Sequence, residues 1–180
     1  MACGICSECY QCVDACIAKA IDHEMNYEEE TIEVGAVIAS AGFEIFDARL
    51  RGEFGYGVYP NVVTSIEFER MLSASGPYAG VVQRPSDAGH PKKIAFIQCV
   101  GSRGEGKEKG CQYCSRFCCM NAIKDGLLVK QHEPDIDELS VYYIDLRAAG
   151  KGFEEFYQRS RNLPELKFIR GRPSKIMEDP

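Results

Sequence analysis

The sequence has few histidines, no long apolar run and no excess of basic charge. Its three histidines, His23, His90 and His132, stand far apart among polar neighbours. They form no cluster, and neither a Ser-His-Asp order nor a carboxylate pair supports acyl transfer or glycoside hydrolysis. Each histidine is therefore expected at the surface.

The apolar residues are broken up along the chain. They make up 45% of the 180 residues, which is enough for one core and a small appendage organised by a cofactor. No run approaches the roughly 18 apolar residues that cross a bilayer, and the N-terminus has no signal-peptide pattern. We therefore expect a cytoplasmic protein without a membrane span.

The charged residues are biased towards acid. Lysine and arginine number 21 against 27 aspartates and glutamates, which gives a formal net charge of -6. A protein that binds duplex nucleic acid carries a basic stripe as its electrostatic footprint. The sequence therefore predicts no nucleic-acid partner.

Cysteine, in contrast, is abundant and confined to two blocks. The ten cysteines are Cys3, Cys6, Cys9, Cys12 and Cys16, followed by Cys99, Cys111, Cys114, Cys118 and Cys119. Disulfides are rare in the reducing cytoplasm, so this density of cysteine indicates metal binding. The count suits two four-iron clusters with two thiols left over, and it favours electron transfer.

The first block has the C-x2-C-x2-C-x3-C spacing of a bacterial-type ferredoxin. Cysteines at this spacing point into one concavity, so Cys6, Cys9 and Cys12 are expected at three corners of a cluster. The fourth ligand stays open between Cys16 and Cys3, because the last cysteine of such a run binds the other cluster in two-cluster ferredoxins. Structural zinc is the alternative, although zinc ribbons separate their two cysteine pairs by roughly a dozen residues or more.

The second block joins the end of a predicted strand to the start of a predicted helix. Cys99 ends the strand, while Cys114 and Cys118 are four residues apart and are expected on one side of the first helical turn. Ligands gather at this edge of a parallel sheet, so these residues and Cys119 are candidates to enclose a second cluster. Two alternatives stay open: Cys118 or Cys119 lies in the core, or Cys111 replaces Cys114 as a ligand.

A glycine-rich loop lies between Cys99 and Cys114. Gly104, Gly106 and Gly110 follow a strand and precede a helix, and Lys107 and Lys109 add positive charge. This pattern permits a bound dinucleotide pyrophosphate. A flexible polar loop is the favoured interpretation, because thiolates at the helix start compete for the same space.

Strands and helices are predicted to alternate along the chain. Apolar runs and turn residues predict strands at 32–40, 93–100, 140–146 and 166–170, and helices at about 64–76, 114–131 and 151–161. Thr64 and Glu67 form a capping box at the start of the first of these helices. The alternation predicts an α/β fold with a partial Rossmann-like parallel sheet in residues 31–180, preceded by a ferredoxin-like cysteine-rich segment in residues 1–30.

Four stretches of the chain resemble the family formed by the A-subunits of heterodisulfide reductases. They read NVVTSIEFERMLSASGP, IAFIQCVGSR, CSRFCCMNAIK and YYIDLRAAGKGFEEFYQRSR, and the likeness covers nearly all 180 residues. The resemblance implies a thioredoxin-reductase-like flavoprotein that binds FAD and several [4Fe-4S] clusters. It further implies electron transfer to partner subunits of the same type, and to carriers such as ferredoxin or hydrogenase, during flavin-based electron bifurcation.

The resemblance also assigns individual residues. Its cluster ligands are Cys6, Cys9, Cys12 and Cys16 in one site, and Cys99, Cys114, Cys118 and Cys119 in the other. The stretch 37–42 is similar to the strand that runs under FAD, which makes Ala41 and Gly42 candidate FAD contacts. This stretch ends in Ser40-Ala41-Gly42 where the family has Ala-Thr-Gly, so the threonine is absent.

The chain departs from the family in having no G-x-G-x-x-G fingerprint for the ADP part of FAD. We therefore expect a fragment or split-off portion that binds FAD weakly by itself and is inactive when isolated. The predicted function is that of an electron-transfer subunit or fragment of a heterodisulfide-reductase-type oxidoreductase. The alternative is a non-catalytic, zinc-stabilised docking module derived from such an enzyme.

Overall fold

The computed structural model describes residues 10–104 and 110–179. The chain divides into two compact units, with the boundary between Phe43 and Glu44. The first unit contains the short helix α1, Gln11–Ala15. The second contains 3-10 helices at Ala48–Leu50 and Gly52–Phe54, then α2 (Ser65–Leu72), β1 (Lys93–Ile97), α3 (Cys118–His132), β2 (Glu138–Tyr143), α4 (Phe153–Ser160) and β3 (Leu166–Arg170). The functional division into residues 1–30 and 31–180 stays a prediction.

The three strands form one parallel sheet in the order β1-β2-β3. Across it, Ile94 pairs with Leu139, and Leu139 pairs with Leu166. Helix α3 connects β1 to β2, and α4 connects β2 to β3, since parallel neighbours need a crossover. The prediction of an α/β protein with a partial Rossmann-like parallel sheet is confirmed.

Helix α2 begins where its capping box predicts. The Thr64 hydroxyl accepts a hydrogen bond from the Glu67 backbone N–H at 3.3 Å, and the Glu67 carboxylate accepts one from the Thr64 backbone N–H at 2.7 Å. Both bonds satisfy amide groups that have no partner within the helix. The helix ends at Leu72, before the predicted stop near Gly76, because Ser73 adopts an extended conformation.

The core lies between the sheet and helices α2 and α3. It comprises Phe68, Met71, Leu72, Val82, Val129, Ile136, Leu139, Val141 and Leu166. The rings of Phe68 and Phe96 meet edge to face with centroids 5.7 Å apart, which fixes α2 against β1. This core holds the ends of β1 and α3 in place, and the second cysteine block lies at those ends.

The strand predicted at 32–40 does not form, so this prediction is wrong. Residues 32–40 have no regular secondary structure, and the side chains of Val37 and Ile38 are 83% and 91% exposed. A strand requires a hydrogen-bonded neighbour, and none of the three described strands pairs with this segment. Its apolar composition indicated burial but contained no information about a neighbouring strand.

Strands β1, β2 and β3 and helix α4 follow the sequence prediction, whereas the 3-10 helices lie in a segment predicted as loop. Strand β3 has the predicted bounds, and β1, β2 and α4 differ from their predicted bounds by a few residues. None of the helices in the described part of the chain combines the length and apolar character needed to cross a bilayer.

Candidate metal centre

Cys99 lies in a tight turn two residues after β1. The sheet pairing extends as far as Gln98, whose backbone N–H donates to the carbonyl of Tyr142 at 3.0 Å. Cys99 itself is buried and has a positive φ of 63°, a conformation in which non-glycine residues are strained. The turn therefore fixes a buried thiol at the carboxyl edge of the sheet.

Two backbone segments pack closely beyond this turn. The Cys111 N–H donates to the Gly101 carbonyl at 2.9 Å, the Arg103 N–H to the Tyr113 carbonyl at 3.2 Å, and the Gly104 N–H to the Cys111 carbonyl at 3.3 Å. These bonds hold the residues before α3 beside the residues after β1. As a result, the two halves of the second cysteine block lie together although more than ten residues separate them in sequence.

Helix α3 begins at Cys118, so the predicted start at Cys114 is wrong. Arg116 has a positive φ of 67°, and its backbone N–H donates to the Cys114 sulfur at 3.3 Å. A side-chain acceptor therefore takes the place of a helical carbonyl at this point. Cys114 lies in the loop before the helix, and Cys118 and Cys119 occupy its first two positions.

Cys118 has a pKa below that of an ordinary thiol. A hydrogen bond from the Cys119 thiol outweighs burial and, with bonds from the Ser115 hydroxyl and the Cys99 backbone N–H, lowers the pKa of Cys118 to about 6. The amino end of α3 adds a favourable dipole. Cys118 is therefore prepared to act as a thiolate, the form of cysteine that binds metals.

Cys119 and Cys99 have the opposite tendency. The hydrogen bond to Cys118, together with burial, raises the pKa of Cys119, and burial and the neighbouring Cys118 charge raise the pKa of Cys99. The Cys119 sulfur also lies 3.8 Å from the Asp145 carbonyl oxygen. Cys99 also interacts with Cys114 through charge, so all four thiols share one local environment.

Arg103 connects the thiols to the end of β2. Its guanidinium donates to the Asp145 carboxylate at 2.7 Å and faces the Cys99 thiol, while its Nη1 atom is buried and has no hydrogen-bond partner among residues 10–104 and 110–179. A buried donor without an acceptor costs about 1–3 kcal/mol. A charged sulfur at this position supplies the missing acceptor, so the donor set fits an anionic iron–sulfur group.

The four predicted ligands Cys99, Cys114, Cys118 and Cys119 are therefore near one another. No group of three or more His, Cys, Asp or Glu side chains within residues 10–104 and 110–179 is arranged to hold a single metal ion. All four donors are sulfur atoms, which is the ligand type of iron–sulfur clusters. The ligand assignment itself stays a prediction.

Cys111 has a different environment from these four residues. Its side chain is exposed, and its hydrogen bond with the Tyr113 hydroxyl raises the pKa of Tyr113. This contact favours Cys114 over Cys111 as the ligand. Gly106, Lys107 and Lys109 of the alternative nucleotide loop lie outside the described residues, so that alternative is untested.

The first cysteine block is described in part. Cys3, Cys6 and Cys9 lie outside the described residues. The Cys12 sulfur is 3.2 Å from Nε2 of His23, and the Cys16 sulfur accepts from the Ala20 backbone N–H at 3.4 Å. The expectation that His23 is an exposed residue agrees with the structure, but its contact with Cys12 has no signal in the sequence.

Ala41 and Gly42, the predicted FAD contacts, belong to the first unit. Both are exposed and lie outside regular secondary structure, and Gly42 has a φ of 76° with no atom of another described residue, its chain neighbours aside, within 4 Å of where a Cβ would be. The structure leaves space at this position. Binding of FAD in that space stays a prediction.

Several curated proteins resemble this chain over nearly its whole length. No family model matches the chain. Curated relatives do, among them the A-subunit of the H2:CoB-CoM heterodisulfide,ferredoxin reductase of Methanothermobacter thermautotrophicus, which is 49% identical over 175 residues. Over its aligned residues, the chain belongs to the heterodisulfide reductase A-subunit family. The match covers 97% of the chain and 26% of that relative.

Two further relatives of this family show the same relationship. The iron-sulfur A-subunit of the CoB--CoM heterodisulfide reductase of Methanocaldococcus jannaschii is 49% identical over 97% of the chain and 26% of its own length. The A-subunit of the ferredoxin/F420H2-dependent CoB-CoM heterodisulfide reductase of Methanosarcina acetivorans is 46% identical over 95% of the chain and 21% of its own length. The chain thus spans about a quarter of the curated heterodisulfide reductase subunits that it matches.

Proposed function

We propose that the chain is an electron-transfer part of a heterodisulfide-reductase-type oxidoreductase. Cys99, Cys114, Cys118 and Cys119 hold a [4Fe-4S] cluster in this proposal. The observation that carries it is the gathering of these four thiols between the end of β1 and the start of α3, with Cys118 already favoured as a thiolate. A bound cluster supplies one-electron oxidation and reduction.

The protein contributes ligand charge, burial and rigidity to this site. Cys118 supplies a thiolate near neutral pH, and the buried positions of Cys99 and Cys119 keep water from two of the sulfurs. Backbone N–H groups of Cys99 and Arg147 point to the Cys118 and Cys119 sulfurs, respectively. Such bonds orient ligands and tune the potential of a cluster.

A second [4Fe-4S] cluster belongs to the first block in this proposal. Cys6, Cys9 and Cys12 are three of its ligands, and Cys16 is the fourth. The support is the ferredoxin spacing of these residues and the iron-sulfur designation of the Methanocaldococcus relative. In this proposal the two clusters relay electrons to or from a flavin and partner subunits.

The flavin and the partners follow from the family. FAD binds in the complete protein with Ala41 and Gly42 among its contacts, and the relay exchanges electrons with this flavin. Other subunits of the heterodisulfide reductase type, and carriers such as ferredoxin or hydrogenase, are the proposed donors and acceptors. The relatives' names support this, since they include ferredoxin, H2 and F420H2.

The test is to purify or reconstitute the 180-residue chain without oxygen and to measure iron and acid-labile sulfide. We expect a brown protein with broad absorption near ~400 nm. The variant Cys118→Ala should lose about half of both iron and sulfide, because it loses one of two clusters. Cys111→Ala is the matched control and should keep both clusters, since its thiol contacts Tyr113.

Two outcomes contradict the proposal. Colourless protein without acid-labile sulfide rules out iron–sulfur clusters, and stoichiometric zinc in such protein supports the docking-module alternative. Unchanged iron in Cys118→Ala, together with loss in Cys111→Ala, reassigns the ligands of the second site. Stoichiometric FAD on the isolated chain contradicts the expectation of weak flavin binding.

A further inference from the structure

Arg103 is a cationic side chain that lies against the second cysteine block. Its side chain is 20% exposed, although arginine is mostly exposed in proteins. The guanidinium faces the Cys99 thiol on one side and donates to Asp145 at 2.7 Å on the other. An arginine in this position is therefore held in a single orientation by groups on two different segments.

The backbone at Arg103 is also constrained. Its φ is 56°, and its N–H donates to the Tyr113 carbonyl at 3.2 Å. Non-glycine residues seldom adopt a positive φ, and such conformations persist where the surroundings enforce them. The conformation directs the side chain back towards the turn that contains Cys99.

The charge of Arg103 is only partly compensated by its ion-pair partner. Asp145 is 46% exposed and also interacts with Arg170 at 3.6 Å, so the two arginines share one carboxylate. Water screens the exposed carboxylate, whereas Nη1 of Arg103 is buried and has no acceptor in the part of the chain that the structure describes. Among these residues, a net positive charge therefore remains on the side that faces the thiols.

We propose that Arg103 is a positioning residue that orients the Cys99 ligand and raises the reduction potential of the cluster at the second cysteine block. The inference rests on the proposed function, because it requires a cluster at Cys99, Cys114, Cys118 and Cys119. Addition of one electron makes a cluster more negative, and a nearby buried cation stabilises the reduced form more than the oxidised form. The Nη1 hydrogens, which have no acceptor among the described residues, then bond to sulfur.

Asp145 completes the arrangement by joining the two halves of the site. Its carboxylate holds Arg103, which faces Cys99, and its backbone carbonyl lies 3.8 Å from the Cys119 sulfur. One residue at the end of β2 therefore contacts groups on both the β1 turn and α3. This explains how a surface-accessible ion pair can fix the geometry of buried sulfurs.

The experiment is a redox titration of the anaerobically prepared chain, monitored by electron paramagnetic resonance. The signal of the second site is the one that Cys118→Ala removes. We expect Arg103→Gln to shift the midpoint potential of that signal to more negative values and to leave the other signal unchanged. Arg103→Lys keeps the charge without the planar fork and should give an intermediate potential.

Arg170→Gln is the matched control. It removes the same charge from the same carboxylate, but Arg170 is 76% exposed and donates to the Ile144 carbonyl rather than facing a thiol. We expect its midpoint potential to equal that of the unmodified chain. Equal shifts in Arg103→Gln and Arg170→Gln, or no shift in either, overturn the inference.

If Arg103→Gln does not bind the cluster, the midpoint potential of Arg103→Lys tests the inference instead. A loaded Arg103→Lys protein with a lowered potential supports the inference, and one with an unchanged potential overturns the role of the planar guanidinium in orienting Cys99. If the unmodified chain contains no iron and sulfide, this result contradicts the proposed function itself and is separate from the inference about Arg103. Circular dichroism of each variant shows whether the fold is retained.

Discussion

The amide nitrogen of Cys111 lies 2.9 Å from the carbonyl oxygen of Gly101, and Gly110 passes so close to this bond that it has no room for a side chain. A Cβ at Gly110 would lie 2.2 Å from the Gly101 oxygen. Gly110 also has a φ of 116°, which disfavours any other residue. This contact positions the loop that contains Cys114 beside the turn that contains Cys99.

Replacement of Gly110 by alanine should therefore separate the two halves of the second cysteine block. We expect Gly110→Ala to lower the free energy of unfolding by about 1–3 kcal/mol and to reduce iron at the second site. Gly52→Ala is the control, because nothing lies within 4 Å of a Cβ at Gly52 and its φ is ordinary. Denaturant unfolding and iron analysis measure both effects, and full iron content in Gly110→Ala would contradict this role.

The buried carboxyl of Asp125 should make stability depend on pH. Its side chain is 1% exposed, one oxygen accepts from Asn121 at 2.9 Å, and the other lies 3.4 Å from the Lys124 Nζ atom. Burial raises the pKa of Asp125 from 3.8 to about 6. The folded chain then binds this proton more tightly than the unfolded chain, so the contribution of Asp125 to stability falls as pH rises from about 4 to 6.

The variant Asp125→Asn removes this dependence and keeps an acceptor for Asn121. At pH 7.5 we expect it to exceed the parent chain in free energy of unfolding by up to about 3 kcal/mol, a gain that fades towards pH 4. Asp87→Asn is the opposite control, because hydrogen bonding to Arg84 lowers the pKa of Asp87. Denaturant unfolding at several pH values measures this, and a difference that stays constant with pH would refute it.

Two isoleucines differ greatly in burial, and their replacement should therefore affect stability differently. Ile123 in α3 is 0% exposed and Ile38 is 91% exposed. We expect Ile123→Ala to lower the free energy of unfolding by about 2–5 kcal/mol. Ile38→Ala should change it by less than about 0.5 kcal/mol. Thermal or denaturant unfolding measures both, and a comparable loss in Ile38→Ala would mean that Ile38 packs in a strand after all.

Local sequence signals predicted much of the second unit. The capping box of Thr64 and Glu67 satisfies backbone groups within one turn of helix, so the start of α2 depends on neighbouring residues alone. The bounds of Leu166–Arg170 follow from a short apolar run between turns, and the alternation of strands with helices determines that the sheet is parallel.

Features that depend on distant contacts were not predictable in the same way. The positive φ of Arg116 and its bond to the Cys114 sulfur delay α3 by one turn, and neither is visible in helical periodicity. The apolar run around Ile38 indicates burial without specifying a neighbour. Arg103 and Asp145 are 42 positions apart in sequence, so their contact depends on the tertiary fold. The gathering of the cysteines, in contrast, followed from the topology of parallel sheets.

Helix α3 extends for 15 residues, about 22 Å, from Cys118 and Cys119 at one end past Val129, which is fully buried. Helix α3 therefore connects the sulfurs of Cys118 and Cys119 directly to the hydrophobic core. Heating that loosens the interior displaces the thiols at the same moment, so bleaching of the cluster proposed at the second cysteine block and loss of helical ellipticity should coincide in a single melting transition.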